Sequence, residues 1–160
     1  MWRWIPALVA GLALLAGAAR GDTGVERGRY LVETIAGCGN CHTPLGPNGP
    51  LPGRHLAGGL VMDEGVFRAV TPNITPDPTH GIGGWTQAQF ITAMREGRSP
   101  SGAPYYPAFP YTSYARMNDA DFVALKAYLD SLPPVAQPRR PHELGFPFNQ
   151  LGQKRSNRII

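Results

Sequence analysis

The chain has 160 residues, of which 42% are apolar and 16% charged, with a formal net charge of +4. That length and apolar share fit one domain with a core of its own, and two cysteines exclude a disulfide-dense scaffold or a four-cysteine metal cage. The scattered basic residues form neither a stripe nor a motif for nucleic acid, so a nucleic-acid binder is excluded as well.

The first 19 residues, MWRWIPALVAGLALLAGAA, place Arg3 before an apolar stretch that ends in small residues. This is the layout of a secretory signal with cleavage near Ala18 or Ala19. The alternative is a retained anchor, for which the stretch is short. Twenty glycines and seventeen prolines then predict few regular elements joined by long loops. A first helix is expected from about Val25 to Ile35, opened by Thr23-Gly-Val-Glu26, with Val25, Gly28, Val32 and Ile35 on one face. A second is expected over Gln87 to Glu96, boxed by Thr86 and Gln89 and stopped by Gly97. A third runs from about Asp119 to Leu132, opened by Asn118 and Asp121, carrying Phe122, Leu125, Leu129 and Leu132, and ended by Pro133-Pro134. Met62 falls in a short strand or turn. Residues 135–160 form a basic tail with little periodicity, expected to lie extended or partly disordered. Three helices make a thin core for so much loop, so something besides protein should fill the centre.

Both cysteines sit in Cys38-Gly39-Asn40-Cys41-His42. This is the C-x-x-C-H pattern of covalent haem attachment. Two thiols one turn apart can each form a thioether to a vinyl group, and the adjacent imidazole then reaches the iron. A thioredoxin-like dithiol would need strand–helix alternation, which is absent. A zinc site would need a second ligand pair, and His55, His80 and His142 do not supply one.

From about Asp22 to Pro134 the chain resembles the class I type cytochrome c domain. The resemblance rests on the first helix, the CGNCH motif and the closing helix MNDADFVALKAYLDSLPP. It is similar, more narrowly, to cytochrome c subunits of bacterial membrane-bound dehydrogenases, through GRYL (Gly28 to Leu31), NITP (Asn73 to Pro76), GIGGW (Gly81 to Trp85) and YPAFPYTSYARM (Tyr106 to Met117). Those relatives often carry three haem motifs, whereas this chain has one. The resemblance implies an all-α small cytochrome c fold of three or more short helices, with long loops wrapped around a single haem c. It implies that the first and last helices cross at Gly28, near Leu125 and Tyr128. The implied domain boundaries are 1–19 for the signal, 20–134 for the cytochrome c domain and 135–160 for the tail.

An electron-transfer haem needs a second axial ligand, commonly methionine or histidine. Met62, Met94 and Met117 remain after the signal. Met94 lies on the apolar stripe of the second helix and reads equally as core. Met117 ends a long loop just before the last helix, and the dehydrogenase-associated branch places a methionine there. Met117 is the expected ligand, with Met94, Met62, His55 and His80 as alternatives. Pro50 or Pro52 is a candidate carbonyl partner for His42, and Asn73 and Trp85 are candidate propionate donors.

The function expected is that of a periplasmic mono-haem cytochrome, exported by its signal, that passes single electrons between a dehydrogenase and an oxidase or another cytochrome. Its basic balance favours an acidic partner. Membrane association would come through a partner or an uncleaved N-terminus. The competing reading is a haem enzyme or gas sensor with an open sixth site, in which His55 or His80 acts as a distal base. A third is a structural subunit whose haem braces the fold.

Overall fold

The computed structural model describes residues 24–146. The signal reading and the Thr23 cap lie outside these residues, as does the end of the basic tail. Helix α1 covers residues 24–35 and changes character midway. Residues 24–30 are α-helical, and Leu31–Ile35 form a π-helical turn closed by the Ala36 N–H on the Leu31 carbonyl at 2.8 Å. The wider turn rotates the residues beyond it. Ile35, expected on the same face as Val32, is therefore 60% exposed, while Leu31 and Val32 are buried.

Gly37, in a left-handed conformation, separates α1 from the single-turn helix α2, Cys38–His42. Helix α3 spans Gln87–Glu96 and carries the reciprocal box in which the Thr86 side chain accepts from the Gln89 N–H and Gln89 returns the bond. A short helix, α4 (Tyr111–Tyr114), precedes α5 (Asp119–Ser131), whose Asn118 cap accepts from the Asp121 N–H. Helix α5 packs against both α1 and α3. The core joins Leu31, Val32, Leu56, Ile82, Phe90, Phe122, Leu125 and Leu129.

Gly28 sits where α1 crosses α5. A Cβ there would collide with the Ala124 carbonyl oxygen and lie 2.7 Å from the Tyr128 Cβ. The two backbones approach this closely because the side chain is missing.

The all-α expectation is corrected. Helix accounts for 36%, and five strands form two antiparallel sheets. Strands β1 (Leu45–Gly46) and β2 (Gly49–Pro50) make a small hairpin directly after the cysteine motif. Strands β3 (Val61–Asp63), β4 (Phe67–Val70) and β5 (Glu143–Leu144) make a three-stranded sheet in that order. Each strand has two to four residues, too few for an alternating pattern to be read. They exist because buried backbone in long loops must still find hydrogen-bond partners. Strand β5 comes from the segment that lacks periodicity, which runs back across the molecule to pair Phe67 with Leu144 and Arg68 with Glu143. Among the described residues no helix is long and apolar enough to cross a membrane.

Candidate haem site

Helix α2 places Cys38 and Cys41 one turn apart, so their side chains are neighbours on one face. Both are free thiols; Cys38 is half-buried and Cys41 exposed. Burial, helped by the nearby Glu33 carboxylate, pushes the Cys38 thiol up to about 11. It therefore stays protonated at neutral pH.

His42 closes the same turn. Its Nδ1–H donates to the Pro72 carbonyl at 2.8 Å, which leaves Nε2 as the lone-pair nitrogen of the neutral ring. Burial lowers its pKa, and the Pro72 bond only partly opposes this, so the neutral form that binds metals is favoured. The main-chain carbonyl of His42 is held too, accepting from the Gly58 N–H at 2.7 Å. Gly58 has a φ of 71°, and a Cβ there would overlap the Pro72 backbone. The sequence reading placed the carbonyl partner at Pro50 or Pro52, but the structure places it at Pro72. Pro50 is instead taken up in the β1–β2 hairpin. No local pattern marks Pro72, which lies 30 residues from His42 along the chain.

Two further residues gather around the motif that sequence reading missed. Glu33 Oε1 accepts from His55 Nε2–H at 2.8 Å and from the Tyr128 hydroxyl at 2.8 Å. Thr43, just after His42, faces the other ring nitrogen of His55 at 3.4 Å and accepts from the Leu56 N–H. Both nitrogens of His55 are therefore engaged. Tyr114 of α4 donates to the Ala36 carbonyl at 3.4 Å, and its pKa is raised by burial and then by Cys38 and Cys41. Helix α4 thus stands beside the cysteine pair.

Met117 follows α4 by three residues. Its N–H donates to the Tyr114 carbonyl at 2.9 Å, and its carbonyl accepts from Arg95 at 3.0 Å. Its side chain is part-buried against the same core that receives Cys38, as is that of Met94. Met62 lies apart from them on β3, in the three-stranded sheet. Asn73 is not available to a propionate. Its amide nitrogen donates to the Val135 carbonyl, and its oxygen accepts from the Thr75 N–H and hydroxyl. Trp85 packs against the core.

The residues present fit a covalent haem. Two unjoined thiols lie a turn apart, an imidazole presents one free nitrogen, and a methionine-bearing segment is tied down beside the thiols. Among the described residues no three His, Cys, Asp or Glu side chains cluster to hold an ion by themselves. A cavity of about 530 Å³ between the end of α3 and α4, lined by Arg98, Tyr105, Phe109 and Tyr111 among others, contains none of the three motif residues. The chemistry follows the thiols and the imidazole rather than that cavity.

The family model for cytochrome c matches residues 25–133. The chain belongs to the cytochrome c family. Electron transfer is the function class, and covalently bound haem c the cofactor, that this membership carries. The chain is 44% identical to a protein named diheme cytochrome c-type from Cereibacter sphaeroides, over 89% of this chain and 54% of that protein. It is 49% identical to a nicotinate dehydrogenase subunit from Pseudomonas putida, over 79% of this chain and 10% of that protein. It is 41% identical to the cytochrome subunit of fructose dehydrogenase from Gluconobacter japonicus, over 78% of this chain and 25% of that subunit. The chain therefore spans about half or less of the length of these relatives.

Proposed function

We propose that this chain is a single-haem cytochrome c that relays single electrons from a dehydrogenase to an oxidase or another cytochrome outside the cytoplasm. One C-x-x-C-H in 160 residues supports one haem. The relatives named as dehydrogenase subunits support a dehydrogenase as donor. The N-terminal stretch with Arg3 and an apolar run supports export.

The Cys38 and Cys41 thiols each add S–H across a vinyl group of the porphyrin, and no atom is lost. When bound, haem supplies an iron that alternates between the ferrous and ferric states. His42 Nε2 holds the iron from one side, and the Pro72 carbonyl fixes the ring's tautomer and raises its basicity. Met117 supplies the thioether from the other side, which favours the reduced state and raises the potential. Cys41 is exposed, and the chain on either side of the motif exposes Ile35 and Leu45. That is the side on which a partner approaches, and the positive balance of the chain suits an acidic one.

The observation that carries this reading is Tyr114, whose ring stands beside both cysteines while its carbonyl holds Met117. The engagement of both His55 nitrogens speaks against its use as a distal base or ligand. The test is the weak long-wavelength charge-transfer band of methionine-ligated ferric haem, recorded for wild type and for Met117→Ala. A band in wild type that vanishes in the variant is expected. A band that survives moves the ligand to Met94 or Met62. No band in either, with rapid cyanide binding to both, would overturn the electron-relay reading in favour of an open site.

A further inference from the structure

Residues 134–144 lie beyond the match to the cytochrome c family, yet they are bound at both of the loops that grip His42. On the first loop the gripping residue is Gly58, and its neighbour Gly59 accepts from Arg140 through its carbonyl at 3.0 Å. Arg54, on the same loop, donates to the Gln137 side chain at 2.7 Å. On the second loop the gripping residue is Pro72, and its neighbour Asn73 donates to the Val135 carbonyl at 2.7 Å. The Val135 N–H donates to the Thr75 hydroxyl at 3.1 Å. The segment then joins the sheet as β5, where Arg68 pairs with Glu143 at 2.8 Å.

We propose that this segment is a clasp that positions the axial histidine, and that His142 is its acid-sensitive latch. Nδ1 of His142 accepts from the Val70 N–H at 3.0 Å. Val70 ends β4, two residues before Pro72. An imidazolium has no lone pair, so protonation of His142 forfeits that bond. The groups facing the ring are Arg139 on the clasp itself, Tyr106 at 5.6 Å between ring centres, and the backbone of β4. The charged groups beside it, Arg68 and Glu143, neutralise each other. Burial, then Arg139, lowers the pKa of His142. The latch is therefore closed above the ordinary histidine range and opens as the pH falls through that range towards the lowered value. An opened clasp lets the Pro72 carbonyl drift from His42, which makes the imidazole a weaker donor and raises the reduction potential.

The inference rests on His42 being an axial ligand. The test uses the full haem-loaded chain and measures midpoint potential from about pH 8 to about pH 5, across the histidine range. Wild type should show a potential that rises on acidification. His142→Asn, whose amide oxygen can accept from Val70 at any pH, should show none of that rise. Gln137→Ala changes no charge and should raise the potential at neutral pH by loosening the clasp. At about pH 5 the Val70 amide should exchange about fivefold faster in wild type than in His142→Asn, the worth of one hydrogen bond. A His142→Asn variant that keeps the wild-type pH response overturns the latch. A Gln137→Ala potential equal to wild type overturns the clasp, since the charge of His142 would then act alone. If the haem reading fails, the chain takes up no covalent haem, and exchange at Val70 still reports on the latch.

Discussion

A single carboxylate oxygen, Glu33 Oε1, receives two donors from different parts of the chain, His55 and Tyr128. It sits in the π turn of α1, so its aim is set by backbone that departs from the ordinary helix. The Tyr128 hydroxyl is pushed up to about 12, by burial first and then by its bond to Glu33. A folded-state pKa above the unfolded value stabilises the protein below about pH 10, and that stabilisation is lost as the pH rises from about 10 towards 12. Tyr128→Phe should therefore flatten the alkaline limb of stability against pH while leaving the neutral region little changed. Denaturant midpoints between about pH 8 and about pH 11 check this, and a limb as steep as wild type would assign the alkaline loss elsewhere. Leu56 is another residue whose conformation depends on its surroundings. It is fully buried with a φ of 57°, rare for a side chain of this kind, and it is held by Thr43 at its N–H and by Ile74 at its carbonyl.

Among elements, the α1–α5 crossing depends most on one position. Gly28→Ala would drive a methyl group into the Ala124 carbonyl, a backbone atom that cannot rotate away. A destabilisation of about 1–3 kcal/mol is expected, the usual cost of overpacking, read as a lowered denaturant midpoint at unchanged slope. An unchanged midpoint would mean the helices separate freely. The elements legible from sequence were those with an end marker and a repeated apolar stripe. Thr86 with Gln89, and Asn118 with Asp121, gave α3 and α5 their first residues because the cap chemistry is local. The π turn left no such mark, so Ile35 was placed on the wrong face. Strands β3 to β5 escaped notice because their pairing is set by partners far along the chain, with Leu144 opposite Phe67.

At the scale of the whole molecule, the helical core is small for the loop it carries, and Cys38, Met117 and Tyr114 remain only part-buried against it. A haem bound at Cys38 and Cys41 adds the apolar bulk that these side chains lack. The Cys38→Ala, Cys41→Ala double variant, matured alongside wild type, should carry no covalent haem and lose much of its helical circular dichroism. Its unfolding midpoint should fall by about 20 °C or more, equivalent to several kcal/mol for a domain of this size. A colourless variant with the wild-type midpoint would show a core sufficient without haem. The attachment motif was legible because its chemistry is packed into five consecutive residues. The support around it was not, since Pro72, Tyr114 and Glu33 are brought in from three other segments by the fold.

The π turn also has a bearing on how this chain can vary. An α-helix advances about 100° per residue, and the extra residue in Leu31–Ile35 adds one such step between the α5 contact and the cysteines. Gly28 fixes one end of α1 against α5, so the heading of Cys38 about the helix axis depends on how many residues intervene. Exchanging one side chain for another within 31–35 leaves that count intact. Dropping one residue would wind the turn back to an ordinary helix and swing the thiols round to face a different quarter of the molecule. The length of this stretch is therefore constrained more tightly than its spelling.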